Sequence, residues 1–456
     1  MYTEQREIEM TIETGSIIQH FFEQYAEVGR PIEVSFRDLV PQMALSDRFT
    51  HLIHPYPAKL LPNIPYFLLA TERFCPKKGV VLDPFCGTGT VLLEAALSGR
   101  NALGVDSNPI ARLISIVKPT AINAKQLQRE LERIVKRAKD NNDTEIPDFP
   151  NRDYWFSAHV QRQISSLLAS IRNIREQTVR NFFLVCLSNI IKKVSYADPR
   201  IYVPVKLNPE RFTDKPDIYQ KIRIKIDQLR DIDVYESFRK VATENITRIG
   251  TLINTEAVKV DAKVIASDAR HITTDLQAKG LLPDESVDMV LTSPPYAGAQ
   301  KYIRSSRLSL NWFGYGAADN IRDLEQASIG REGILKKNLV VEPTNIKEAD
   351  SLIQKISAVD KTRACIVSTY LNEMREALTE SVRVLKKGGY MILVVGPNKV
   401  CKYNFDTPSY LSDILQTLDM KKELELVDRI KSYGLMMKRN ATADRIIVEK
   451  ILFFRK

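Results

Sequence analysis

Gly79-Val80-Val81-Leu82-Asp83-Pro84-Phe85-Cys86-Gly87-Thr88-Gly89-Thr90-Val91-Leu92-Leu93-Glu94-Ala95-Ala96-Leu97 is the stretch on which the fold turns. The apolar run ending at Leu82 reads as a buried strand and Val91 to Leu97 as a helix, with a glycine turn between them. Such a turn lets backbone come close to a ligand, while the helix start offers free N–H groups and the positive end of the dipole. The third glycine of the dinucleotide fingerprint is missing, because Val91 and Leu92 follow Thr90, so a pyrophosphate cofactor is disfavoured. No Gly-Lys-Ser/Thr follows either, which excludes a P-loop.

Seventeen residues beyond Gly89, Asn101-Ala102-Leu103-Gly104-Val105-Asp106 sets a carboxylate at the end of a second strand, where it can accept hydrogen bonds from a ribose. The expected cofactor therefore carries a nucleoside. Asp106-Ser107-Asn108-Pro109 would also serve as a turn and helix cap, and the two roles are compatible.

About two hundred residues later, Val287-Asp288-Met289-Val290-Leu291 reads as another buried strand and runs into Thr292-Ser293-Pro294-Pro295-Tyr296. Two consecutive prolines must stop the strand and hold the backbone extended, which makes a rigid polar corner at the sheet edge. Alone this would be an ordinary proline-rich turn. Following the cofactor segments and a strand, it reads as a reaction site.

These segments together resemble the S-adenosylmethionine-dependent DNA amino-methyltransferases. Asp83-Pro84-Phe85-Cys86-Gly87-Thr88-Gly89-Thr90 resembles their cofactor motif, and Gly104-Val105-Asp106-Ser107-Asn108-Pro109 is similar to the acidic motif that follows it. His54-Pro55-Tyr56-Pro57-Ala58-Lys59-Leu60 resembles the segment that closes over the methionine end of the cofactor, through Tyr56, Pro57 and Lys59. Val264-Ile265-Ala266-Ser267-Asp268-Ala269-Arg270 resembles the strand whose terminal Asp268, with Ala269 beside it, meets the adenine. The resemblance covers about residues 50–115 and 263–456. It implies an α/β fold with a Rossmann-like class I methyltransferase sheet, mostly parallel, with a C-terminal antiparallel hairpin.

The chemistry follows from the target. An exocyclic amine on a nucleobase is a poor nucleophile because its lone pair is delocalised into the ring. If Ser293 Oγ and the Pro294 carbonyl accept the two amine hydrogens, that lone pair turns toward the methyl group, and positioning supplies much of the rate. Pro295 holds the corner and Tyr296 stacks on the base, which must leave the duplex at a cost of a few kcal/mol. Ser before the prolines resembles the cytosine-N4 form, whereas Asp or Asn is more usual for adenine-N6. A C5-cytosine enzyme would need a nucleophilic Cys after a Pro, and none of Cys75, Cys86, Cys186, Cys365 or Cys401 follows one. Adenine-N6 methylation, RNA guanine-N2 methylation and a non-catalytic DNA-binding or cofactor-sensing protein are the alternatives. The short N-terminal region leaves little room for an RNA-binding domain.

At 456 residues and 44% hydrophobic content the chain can bury a large core. The five cysteines show no metal-ligand spacing, so no metal is expected and free thiols in a reducing cytoplasm are the simplest account, the cell being expected to be prokaryotic. The N-terminus lacks an apolar h-region, and no run approaches the roughly twenty apolar residues of a membrane span.

The net charge of +10 divides into −2 for residues 1–120, +7 for 121–265 and +5 for 266–456. The basic middle carries Lys221-Ile222-Arg223-Ile224-Lys225 within about 140 residues of mostly helical periodicity, Gln126 to Lys139 and Val160 to Val194, with Pro204, Pro209 and Pro216 marking a later loop. We read 121–262 as a helical insertion and candidate DNA-recognition domain that splits the methyltransferase domain into 46–120 and 263–456, while 1–45 has no assigned role. Lys221, Arg223 and Lys225 would meet phosphates, and so would Lys301, Arg304 and Arg307 just past the corner. Tyr154-Trp155-Phe156 is expected to pack rather than stack on nucleic acid. Gly298, Gly314, Gly316 and Gly330 are expected to make a mobile loop. Lys386 to Gly389 is expected to turn into a strand over Tyr390 to Val395, and Glu423 to Tyr433 and Arg445 to Phe454 to form the closing hairpin. Double-stranded DNA is the expected partner, any restriction endonuclease being a separate chain.

Overall fold

The computed structural model describes residues 2–40, 48–57, 59–141, 144–278, 280–298, 302–315, 318–335, 339–429 and 448–456. Ten strands are described: β1 Ile32–Val34, β2 Val80–Asp83, β3 Asn101–Val105, β4 Ala262–Ala266, β5 Val287–Thr292, β6 Leu385–Val395, β7 Asn398–Val400, β8 Tyr403–Phe405, β9 Lys421–Arg429 and β10 Val448–Arg455. Eight form one sheet in the order β1-β9-β10-β6-β5-β2-β3-β4, and β7 and β8 pair separately.

Every neighbouring pair from β4 through β3, β2 and β5 to β6 is parallel, whereas β10 runs antiparallel between β6 and β9. This is the α/β, Rossmann-like class I methyltransferase sheet with its reversed strand. The central strands are mostly apolar because helices cover both faces, as parallel sheets require. Its carboxyl edge collects the ends of β2, β3, β4 and β5, and the order reverses between β2 and β5, where α/β sheets bind ligands.

The hairpin closes as β9 and β10, and the connecting ends of both expected strands lie outside the described residues. The expected turn at Lys386 to Gly389 is instead an irregularity within the single strand β6. Leu385 pairs with Val287 and Tyr390 with Met289, so the surplus residues bulge, with Gly388 at φ +76°. Gly389 is closely packed there: a Cβ would stand 2.8 Å from Leu385 Cδ1 and 2.9 Å from the Asp288 carbonyl.

The N-terminal region has a structural use that the sequence left unassigned. β1 lies parallel to β9 at the sheet edge, and the Tyr2–Val28 helix buries Ile18 and Phe22. Phe22 meets Tyr390 and Phe453 edge-on at 6.2 and 5.9 Å between centroids.

Between β3 and β4 the described chain is helical: Ala124–Asp140, Ala158–Arg172, Gln177–Ile191, Pro216–Arg230 and Val234–Gly250 are its longer helices. The Val160–Val194 periodicity is two helices broken at 173–176. Pro216, expected in a loop, opens a helix at its first turn, where the missing N–H costs nothing. One apolar core joins this region to the sheet's helices, running from Ile110 and Ile114 through Leu131, Phe182 and Phe238 to Ile303 and Trp312. Leu207, Ile222 and Leu229 form a small cluster beneath the Pro216–Arg230 helix. The packing expected of Tyr154-Trp155-Phe156 holds for Phe156, which meets Trp312 edge-on at 5.6 Å, but Tyr154 is half exposed beneath the Lys206 ammonium. Among the described residues no helix is long and apolar enough to cross a membrane.

Candidate active site

A cavity of roughly 1130 Å³, its solvent-open mouth included, lies at the carboxyl edge of the sheet. Its lining includes Tyr56, Lys59, Asp83, Pro84, Phe85, Gly87, Thr88, Thr90, Asp106, Ser107, Asp268, Ala269, Ser293, Pro295 and Tyr296 from the residues singled out above. The two segments that drew attention in the sequence therefore share one site. They are tied at their strand ends: the Thr292 hydroxyl donates to Asp83 Oδ1 at 2.6 Å, and the Phe85 N–H donates to the same oxygen at 3.1 Å. Burial pushes the Asp83 carboxyl up to about 7, against the pull of those two donors.

The glycine turn is built for approach. Gly87 has φ +50°, and a Cβ there would meet nothing within 4 Å, while its N–H donates to Asp106 Oδ2 at 2.9 Å. Gly89 serves packing instead: at φ +75° its Cβ would press on Ser115 Cα at 3.0 Å. Burial lifts Asp106 to about 6, opposed by the N–H groups of Asn108 and Gly87. A carboxylate has about four lone-pair sites, so Asp106 keeps acceptor capacity beyond those two bonds.

Other expected residues act from behind the wall. Asn108 is buried. Its Oδ1 caps the Pro109–Val117 helix at the Ile110 N–H, and its Nδ2 donates to Tyr56 Oη and Ser306 Oγ, both at 3.0 Å. It thus holds Tyr56 and the Tyr302–Leu310 helix in place. Pro57, Gly89, Asn108 and Pro294 are not among the lining residues. Asp268 lines the cavity with both oxygens gripped by Arg270, at 2.9 Å from Nε and 2.8 Å from Nη2. Burial raises its carboxyl, but the Arg270 bonds and charge outweigh that and hold it below the usual range.

The corner Ser293 to Tyr296 is braced on three sides. Besides the Thr292 bond, Asn398 Nδ2 donates to the Ala297 carbonyl at 3.1 Å, and Gly330 packs beneath Tyr296 at φ +79°. The expected mobility of Gly330 is therefore replaced by a close fit. Gly314, at φ +101°, interrupts a helix, and Gly316 lies outside the described residues. Of the proposed phosphate contacts, Lys301 also lies outside them. Arg304 pairs with Glu325 at 3.3 Å and Glu332 at 3.8 Å, and Arg307 is exposed. Lys221 and Arg223 are exposed on the Pro216–Arg230 helix and Lys225 is half-buried.

Sequence reading missed Ala327, Ser328, Ile329 and Glu449 of the lining. Glu449 left a faint signal, a carboxylate that with Lys450 precedes the apolar run Ile451-Leu452-Phe453-Phe454. Ser328 left none; it is brought in by the loop that carries Gly330.

The donor set fits S-adenosylmethionine better than a phosphorylated cofactor. Lys59 Nζ gives two of its three hydrogens to the carbonyls of His51 and His54, at 3.1 and 2.7 Å, and burial brings it down to about 8. Carboxylates flank the cavity instead, suited to ribose hydroxyls and a cationic centre. Fold and site define a methyltransferase that draws on S-adenosylmethionine.

Residues 51–115 match the N6/N4 methyltransferase family, described as DNA methylase. The Type II methyltransferase M.MvaI of Kocuria varians is 24% identical over 415 residues, spanning 86% of this chain and 87% of that protein. The Type II methyltransferase M.MjaII of Methanocaldococcus jannaschii is 32% identical over 352 residues, spanning 60% of this chain and 64% of its own length. M.AvaI of Anabaena variabilis, likewise a Type II methyltransferase, is 23% identical over 392 residues, 76% of this chain and 74% of that protein. Over residues 51–115 the chain is similar to the N6/N4 DNA methylases, and over most of its length to Type II methyltransferases.

Proposed function

We propose that the protein methylates the N4 amine of cytosine in double-stranded DNA, as the modification partner of a restriction endonuclease carried on a separate chain. The observation that carries the reading is the Thr292–Asp83 bond, which sets the Ser293 corner and the cofactor turn on one cavity. The Type II relatives, matched over most of the Kocuria varians protein, support the modification role.

When bound, S-adenosylmethionine supplies a methyl carbon on a positively charged sulfur. Gly87 and Thr88 admit it to the turn, and Asp106 accepts from its ribose. Ser293 Oγ and the Pro294 carbonyl accept the two hydrogens of the base amine, which aims the nitrogen lone pair at that carbon. On taking up that methyl group the amine would give up one proton to solvent. Tyr296 supports the extruded base. The basic helix Pro216–Arg230 and Arg307 supply cations for the phosphates.

Incubating the protein with S-adenosylmethionine and unmethylated duplex DNA, then digesting and identifying nucleosides by mass spectrometry, tests this. N4-methylcytosine is the expected product. N6-methyladenine would overturn the inference from Ser293 while leaving the family intact. Methylated RNA with untouched DNA, or no transfer at all, would overturn the substrate.

A further inference from the structure

Glu373 is a buried carboxylate that the amino-methylation chemistry above does not use. It stands on the Lys361–Val384 helix and is 9% exposed. Arg331 grips it with both terminal nitrogens, Nη1 donating to Oε2 at 2.9 Å and Nη2 to Oε1 at 2.7 Å. Arg270 Nη1 donates to the same Oε1 at 2.9 Å. One carboxylate therefore anchors two guanidinium groups, the strongest kind of side-chain hydrogen bond.

Each arginine also holds the cavity wall. Arg270 keeps both oxygens of Asp268 and donates to the Ala327 carbonyl at 3.2 Å. Arg331 Nη1 donates to the Ser328 carbonyl at 3.0 Å, while its Nε is buried with no hydrogen-bond partner among the described residues. The strip 327–330 fixed by these bonds has two faces in use. Ala327, Ser328 and Ile329 line the cavity with Asp268, and Gly330 packs beneath Tyr296.

We propose that Glu373 is a positioning residue for methyl transfer: through Arg270 it sets Asp268 for the cofactor, and through Arg331 it sets the strip that backs the base corner. This rests on the reading of Ser293 to Tyr296 as the base site. Because both arginines share one acceptor, the two ends of the cavity are coupled through it. An amide in its place would turn N–H groups toward donors and release both grips. At the corner, a displacement near 1 Å can cost on the order of a hundredfold in rate.

The test uses the full chain with S-adenosylmethionine and duplex DNA, reading cofactor Kd by calorimetry and methyl transfer in single turnovers at saturating cofactor. Glu373→Gln keeps the shape and removes the charge; it is expected to raise the cofactor Kd at least about threefold and to slow transfer about 10- to 100-fold. Arg331→Met leaves the Arg270–Asp268 bonds in place, so transfer should slow to the same extent with Kd within about twofold of wild type. The double variant removes the guanidinium that Glu373→Gln leaves unpaired, so it decides the matter even if that single variant does not fold. It should show the Kd rise with no rate loss beyond that of Arg331→Met. A further rate loss in the double variant, an unchanged Kd there, or wild-type transfer in Arg331→Met would overturn the role of Glu373. A wild-type protein that modifies no DNA amine would instead sink the base-site reading itself, and this proposal with it.

Discussion

Gly330 sits directly beneath the carbonyl of Tyr296: a Cβ on Gly330 would stand 2.8 Å from that oxygen and 3.2 Å from Pro295 Cβ. The two residues are 34 positions apart, and their close approach explains why a glycine is needed at φ +79°. Gly330→Ala must displace the corner or strain its own backbone, at roughly 1–2 kcal/mol for the left-handed conformation alone. We expect a lower melting temperature and at least a tenfold loss of kcat, with cofactor affinity retained. Calorimetry and single-turnover kinetics check both.

Ser293→Ala removes the acceptor proposed for one amine hydrogen. By analogy with the loss of one preorganised hydrogen bond at a reaction centre, turnover is expected to fall about 100- to 1000-fold. Cofactor titration should give a wild-type Kd. Full turnover in this variant would remove the hydroxyl from the mechanism.

Asp106→Ala should have the reverse profile. It deletes the acceptor of the Gly87 and Asn108 N–H groups as well as the proposed ribose contact, so the turn loosens where the cofactor would enter. We expect cofactor affinity to drop by at least tenfold, since one lost charge-assisted hydrogen bond is worth about 1.5–3 kcal/mol. Isothermal titration calorimetry reads this directly.

Asp83 gives a pH signature. Its carboxyl is raised to about 7 in the folded chain, so the native state holds a proton that the unfolded state releases near pH 4. The stability linked to that proton is fully present below about pH 4 and is lost as pH rises through 7. Asp106, at about 6, and Glu449, at about 7, act in the same direction. The cofactor-free protein should therefore melt lower at pH 8 than at pH 6, and Asp83→Asn should flatten that slope.

Lys221, Arg223 and Lys225 stand in no ion pair among the described residues. Replacing all three by Ala should weaken DNA binding for every sequence and reduce the slope of log K against log salt by about 3, if each meets one phosphate. Fluorescence anisotropy over a salt series checks it. An unchanged slope would move the phosphate contacts elsewhere on the protein.

The site was legible wherever function sits on local pattern. Asp83 to Thr90, Asp106 and Ser293 to Tyr296 each end a short apolar strand, and strand ends converge on one sheet edge whatever the loops between them do. What stayed hidden depends on contacts across the chain. Gly330 looked like a hinge because its partner carbonyl is 34 residues away. Asn108 looked like a ligand contact because nothing local shows that Tyr56 and Ser306 occupy its amide. Arg304 looked free until Glu325 and Glu332 folded beside it. The insertion's helices could be read from periodicity, but its merging into the core of Ile110, Ile114 and Trp312 could not.

The reversed strand also governs the order of assembly. β10 lies between β6 and β9, and Glu449 to Arg455 are translated after every other strand of the sheet. Until they emerge from the ribosome, β6 and β9 present open edges with unsatisfied backbone groups, and β1 has only an undocked β9 to join. A nascent chain halted before β10 should therefore be a client for chaperones, carrying a complete cofactor turn on an unclosed sheet.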